Sequence, residues 1–321
     1  MKPVFFSVIS AILIYSTCAP AAFAAESDWP HWRGPHHNGS AHEMPLPAPP
    51  ALEQQVLWSA PMPGSSSATP IVGYGRVYVV SNDETETRGL ALCLDQDSGK
   101  VLWTRELAHD IKQPRRNSAT SCSPVVDEER VYFLFGTGEL FALDHEGDTL
   151  WSKDLTQEYG PVAQQFGYSS SPLLLDNRLY IPVLHGQWHS GGSQDTFTDK
   201  DSYVLCLDAS TGDVVWKKHR PSDANGESFD SYASAVPCLH GGHPAIVVQG
   251  GDYVTCHDAL TGTELLRQEH NPPKGSNWRL IPSPVIADEL IIAVQPRGGD
   301  IFAIRPGEDR DLAYEDSFWI R

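Results

Sequence analysis

The chain has 321 residues, enough for a large buried core, and carries 41 acidic against 23 basic side chains for a formal net charge of −18. That balance repels polyanions, so nucleic acid and anionic lipid surfaces are excluded as partners. The one basic cluster, Lys112 to Arg116, is short and flanked by acids, which makes it a solvated loop.

Residues 1–24 read as an export signal. Lys2 supplies the positive start, Val4 to Tyr15 the apolar stretch, and Ala22-Phe23-Ala24 the small residues of a cleavage site. No stretch reaches the roughly 18 apolar residues of a membrane span. The mature chain is therefore expected to be exported, periplasmic or extracellular, and associated with the cell envelope. Cys18 follows Tyr15-Ser16-Thr17, a poor match to a lipidation signal.

Residues 25–54 form a leader rich in Pro, His and Gly, without periodicity. Prolines 45, 47, 49 and 50 stiffen its last part. Asn38-Gly39-Ser40 fits a glycosylation sequon and fits an Asn-Gly turn equally well.

From residue 55 the chain repeats one pattern five times. Small residues and a proline come first, then short apolar strands ending in Leu-Asp or a variant, a Thr/Ser-Gly turn, and a tryptophan. The copies run from Pro70 to Trp103, Pro124 to Trp151, Pro172 to Trp216, Pro237 to Leu266 and Pro284 to Trp319. Repeats of about 40–50 residues with four strands each predict an all-β propeller over 55–321. In the first copy the strands fall at Thr69–Val72, Arg76–Ser81, Gly89–Asp95 and Val101–Arg105. The turn glycine is expected at positive φ. Trp58, Trp103, Trp151, Trp216 and Trp319 are expected to pack onto neighbouring blades as structural docking residues.

Five cysteines remain after the signal. Cys93, Cys206 and Cys256 share one repeat position and read as small buried strand residues, whereas Cys122 and Cys238 lie near inner-strand starts, where either exposure or burial is open. Trp58 is an outer-strand signal with no inner strands before it, and Trp319 stands two residues from the end. The expectation is a ring cut short at its C-terminus, with residues 56–60 completing a blade whose inner strands lie elsewhere.

Leu207-Asp208-Ala209-Ser210-Thr211-Gly212-Asp213-Val214-Val215-Trp216 resembles the tryptophan-docking motif of the pyrroloquinoline quinone (PQQ) propellers. Leu94-Asp95 to Trp103 is nearly as close, and Asp258 to Leu266 keeps Thr-Gly but loses the tryptophan. The resemblance implies eight blades, of which five are present. Trp29-Pro30-His31-Trp32-Arg33-Gly34-Pro35 with Asn38-Gly39 resembles the entry segment of secreted, BamB-like propellers from planctomycete-type bacteria. That branch implies a non-catalytic scaffold or binding protein whose partners are envelope proteins or a small ligand, with no cofactor and outer-membrane protein assembly as its best-known role. The family's other branch implies a PQQ- and calcium-dependent dehydrogenase of sugars or alcohols. The adjacent cysteine pair of many alcohol-oxidising members does not occur here, and no acid stands in a recognisable base or calcium-ligand context.

Two histidine groups, His31, His36, His37 and His42 in the leader and His185 with His189 near Asp195, Asp199 and Asp201, lack the rigid second shell that zinc needs and read as loops rather than metal sites. A ligand site on a propeller lies where the loops before the inner strands converge around the axis. That criterion selects Asn117, Ser118, Tyr168, Ser169, Ser231, Tyr232, Trp278 and Arg279, with Arg220 approaching the same mouth; a plain hydrated rim would use the same residues.

Overall fold

The computed structural model describes residues 28–40, 56–162, 164–186, 202–288, 290–306, 311–312 and 318–320. Residues 1–27, which hold the segment expected to be an export signal, and 41–55, with the proline run, lie outside the described residues, as do His42, His189, Asp195, Asp199 and Asp201.

Five sheets follow one another in chain order, each with four antiparallel strands, and the fourth gains one extra strand at its outer edge. The first blade comprises β1 (Ile71–Gly73), β2 (Arg76–Asn82), β3 (Gly89–Asp95) and β4 (Val101–Ala108). The second comprises β5 (Val125–Val126), β6 (Val131–Leu134), β7 (Glu139–Leu143) and β8 (Thr149–Asp154), followed by one helical turn, α1 (Leu155–Tyr159). The third has β9 (Leu173–Leu175), β10 (Arg178–Val183), β11 (Tyr203–Asp208) and β12 (Val214–His219). The fourth has β13 (Val236–His240), β14 (His243–Gly250), β15 (Tyr253–Asp258) and β16 (Glu264–Glu269). The fifth has β17 (Val285–Ala287), β18 (Leu290–Val294), β19 (Ile301–Ile304) and, after the short β20 (Asp311–Leu312), β21 (Phe318–Ile320). β20 does not join the fifth blade; it lies parallel beside β16. Inner strands β1, β5, β9, β13 and β17 touch in succession and line the axis. The chain is an all-β propeller.

The small residue two positions before each inner strand has a specific task. Thr69 N–H donates to Ser123 Oγ at 2.9 Å, Ser123 N–H to Ser171 Oγ at 2.9 Å, Ser171 N–H to Ser234 Oγ at 2.8 Å, and Ser234 N–H to Ser283 Oγ at 2.9 Å. The four serines are buried. A buried backbone N–H must find an acceptor, and at these inter-blade steps the hydroxyl of the next blade supplies it.

Four of the five tryptophans reach the following blade. Trp58, Trp103, Trp151 and Trp216 donate Nε1–H to the carbonyls of Gln96, His145, Ala209 and Ala259 at 2.8–3.1 Å, each in the following blade. Each indole covers the turn glycine of that blade: a Cβ on Gly99, Gly147, Gly212 or Gly262 would lie 2.3–2.8 Å from ring carbons. All four glycines have positive φ, so both space and backbone demand glycine. Trp58 docks in this way although residues 56–60 form no strand.

A tyrosine accompanies three of these tryptophans. Tyr78, Tyr132 and Tyr180, on the second strand of blades one to three, lie 5.9–6.1 Å ring to ring from Trp103, Trp151 and Trp216. Tyr180 Oη donates to Ala259 O at 3.1 Å, the carbonyl that Trp216 also uses. Strand register gives Val247 the tyrosine position in blade four, opposite Cys256, which in turn faces Leu266. Blade four has therefore lost both members of the pair together.

Cys93, Cys206 and Cys256 are buried across from the docking position. Cys122 and Cys238 are buried as well, which closes the alternative of exposed thiols, because both side chains turn into the core between blades. In blade five Phe318 faces Ala303, the docking register, and Trp319 stands one step further on, opposite Phe302.

Candidate funnel-mouth site

The loops that precede β5, β9, β13 and β17 converge at the end of the axis where the inner strands begin. Between them lies a cavity of about 300 Å³ lined by Arg116, Asn117, Phe166, Ser169, Tyr232, Arg279 and Ile281. Four of the nine sequence candidates, Asn117, Ser169, Tyr232 and Arg279, meet here. Arg116, Phe166 and Ile281 were not singled out; Ile281 stands three positions before the repeat proline Pro284, in the loop that supplies Arg279, and that placement is the signal that could have found it.

The other five candidates stand elsewhere. Ser118 is buried and accepts from Asn82 Nδ2 at 3.1 Å. Tyr168 points into the core between blades two and three and donates to Pro182 O at 2.9 Å. Ser231 is buried on Gln249 O at 2.7 Å. Trp278 packs against Gly275 outside the cavity lining. Arg220 is the largest correction. It is fully buried beside blade four, with Nε on Thr255 Oγ1 at 3.0 Å and Nη2 on Tyr253 O at 2.8 Å. Leaving β12, its backbone bonds back to Ser202 O, which turns the side chain inward. Burial lowers its guanidinium to about 9.

The cavity offers donors and flat faces. The Arg279 guanidinium lies 4.8 Å over the Phe166 ring and pairs with Glu227, which Arg297 also approaches at 3.5 Å. The Tyr232 ring is 6.4 Å from Phe166, and its hydroxyl accepts from Phe166 N–H at 3.2 Å. Beneath, buried Asp230 accepts from the backbone N–H groups of Gln165 and Gly186 at 2.9 and 2.8 Å. Desolvation pushes its carboxyl up to about 6, outweighing those amides. Asn117 is oriented by accepting from Ser121 Oγ at 2.7 Å.

No carboxylate belongs to this lining. Calcium takes six to eight oxygen ligands, usually with carboxylates among them. The described lining therefore fits an anionic, flat group and does not fit a calcium ion beside it. Among the described residues no group of three metal-ligating side chains comes together, and no helix is long and apolar enough to cross a membrane. His185 is buried rather than in an exposed loop.

Comparison with known proteins agrees with the architecture. A curated relative, the polyvinylalcohol dehydrogenase of Sphingopyxis sp., is 25% identical over 222 residues, covering 64% of this chain and 30% of that protein. The chain thus spans under a third of that relative's length. Among solved structures, a europium-containing methanol dehydrogenase superposes with TM-score 0.64 at 13% identity, over 89% of this chain and 57% of the other. BamB from Moraxella catarrhalis superposes with TM-score 0.50 at 16% identity, over 83% and 66%. Such low identities speak for the fold. The family model described as outer membrane protein assembly factor BamB matches residues 51–188 and 184–312. Repeat, docking geometry and family model agree, and the chain belongs to the BamB-like family of PQQ-repeat propellers.

Proposed function

We propose that this chain is a non-catalytic, exported propeller that binds a partner at its funnel mouth in the bacterial cell envelope, with outer-membrane protein assembly as the process its family description suggests. The observation that carries this reading is the mouth lining. Arginine, tyrosine and phenylalanine, the residues enriched at protein interfaces, converge there from four loops on an otherwise acidic chain. The test is a photo-crosslinker at Ile281 in envelope preparations. A defined envelope-protein adduct that disappears with Arg279→Glu and Tyr232→Ala supports the reading; no adduct, or one insensitive to both variants, overturns it.

The second reading is a PQQ- and calcium-dependent dehydrogenase of sugars or alcohols, favoured by the similarity to polyvinylalcohol dehydrogenase. Arg116 and Arg279 would hold carboxylates of the quinone, and the Phe166 and Tyr232 faces would pack on its plane. PQQ accepts two electrons when bound, so dye-linked oxidation of polyvinyl alcohol, sugars or alcohols in the presence of PQQ and calcium distinguishes the readings. Turnover would replace the scaffold reading.

A further inference from the structure

The leader motif has a place in the fold that no repeat explains. Trp29 extends the first sheet on its axial side: Trp29 N–H donates to Val72 O at 2.8 Å and Val72 N–H to Trp29 O at 3.0 Å. Asp28 Oδ2 accepts from Tyr74 N–H at 3.3 Å, and Pro30 O accepts from Val126 N–H in β5 at 3.2 Å. Gly34, at φ 75°, folds the segment back under the Trp29 ring, 2.7 Å from where its Cβ would be. His31 packs against His37, ring centroids 4.3 Å apart and tilted by 41°, and Gly39 N–H closes the loop on Arg33 O at 2.9 Å. Arg33, lying 4.4 Å over the Trp32 ring, then sends Nη1 to Pro284 O at 2.6 Å and Nη2 to Ser283 O at 3.1 Å in blade five.

We propose that Asp28–Gly39 is an axial strap, which ties blade five to blades one and two across the axis through Arg33 and does not depend on the blade-to-blade tryptophan contacts. Two successive carbonyls need a planar fork with two parallel donors, which arginine has and lysine does not. Ser283 is the last hydroxyl of the serine series, so the strap anchors where that series ends. Burial supports the assignment by lowering the Arg33 guanidinium from its ordinary value.

The experiment is amide exchange on the full chain and on Arg33→Ala, Arg33→Lys and Gly34→Ala. In the parent, the amides of Trp29, Val72 and Val126 should exchange at least ~100-fold more slowly than in an unstructured chain, as expected for paired backbone groups. Arg33→Ala and Arg33→Lys should speed exchange across residues 283–287 at least ~10-fold while Val72 keeps its protection. Gly34→Ala should release Val72 and Val126 as well. Leader amides exchanging at unstructured rates in the parent would overturn the strap. So would an unchanged 283–287 segment in Arg33→Ala, and a variant that fails to fold leaves the parent measurement to decide.

Discussion

Removal of the Trp216 side chain tests the docking geometry most directly. Its indole is 7% exposed, lies flat on Gly262, 2.6 Å from where a Cβ would stand, and donates to Ala259 O at 3.1 Å. Trp216→Ala empties a buried aromatic site between blades three and four and should cost about 3–5 kcal/mol. Trp216→Phe separates the contributions. Ala259 O keeps Tyr180 Oη at 3.1 Å and Arg178 Nη1 at 3.2 Å, so no carbonyl is orphaned. The lost hydrogen bond should then cost only about 1 kcal/mol, apart from the trimmed ring. Gly262→Ala attacks the same contact from the other side, with its φ of 71° adding backbone strain. Urea unfolding gives the totals, and blade-resolved amide exchange shows whether the loss is confined to the junction of blades three and four. If Trp216→Ala costs less than about 1 kcal/mol, tryptophan docking does not hold the blades together.

Leu266 is 2% exposed in a closed cluster with Ile291 and Phe302, so Leu266→Trp alone should overpack it by about 1–3 kcal/mol, read from the urea midpoint. Amide protection in residues 237–266 should fall below that in residues 172–216, because blade four carries neither docking donor. Ser171→Ala strips the acceptor from the buried Ser123 N–H and should cost about 1–3 kcal/mol in urea unfolding, whereas an exposed serine would be neutral. Asp230 titrates near 6 in the folded protein against 3.8 when unfolded, so its contribution declines as pH rises from about 4 to about 6 and is level above, by about 3 kcal/mol in all. The stability difference between the parent and Asp230→Asn should follow that slope, and parallel pH profiles would refute it.

Much of this architecture is legible in the residues themselves. Gly89–Asp95 coincides with β3 residue for residue, since Leu-Asp followed by Ser-Gly marks both a strand end and the turn after it. The docking tryptophans are equally plain. Tyr78, Tyr132 and Tyr180 were legible too, each following Val or Leu on a second strand, but their role emerges only when the register sets them beside the tryptophans. The mouth was half legible. Proximity to an inner-strand proline places a residue near the axis, but backbone alternation then decides whether it faces the opening or the core. Asn117 and Ser169 face out; their neighbours Ser118 and Tyr168 face in. Arg220 was misplaced because a long cation next to a proline reads as surface, and its partners, Thr255 Oγ1 and Tyr253 O, lie more than thirty positions away.

The serine series and the tryptophans share a direction. At each of the four junctions from blade one to blade five, the N–H donor belongs to the earlier blade and the hydroxyl to the later one. Each indole likewise reaches forward, from Trp58 to Gln96 and from Trp216 to Ala259. A blade therefore emerges from synthesis with an open amide and an undocked ring, and only its successor can satisfy them. Growth of the array is vectorial in the energetic sense: each addition repairs the exposed edge of what came before and presents an equivalent edge of its own. Damage should propagate the other way, with a defect in one blade unsettling the blade that precedes it.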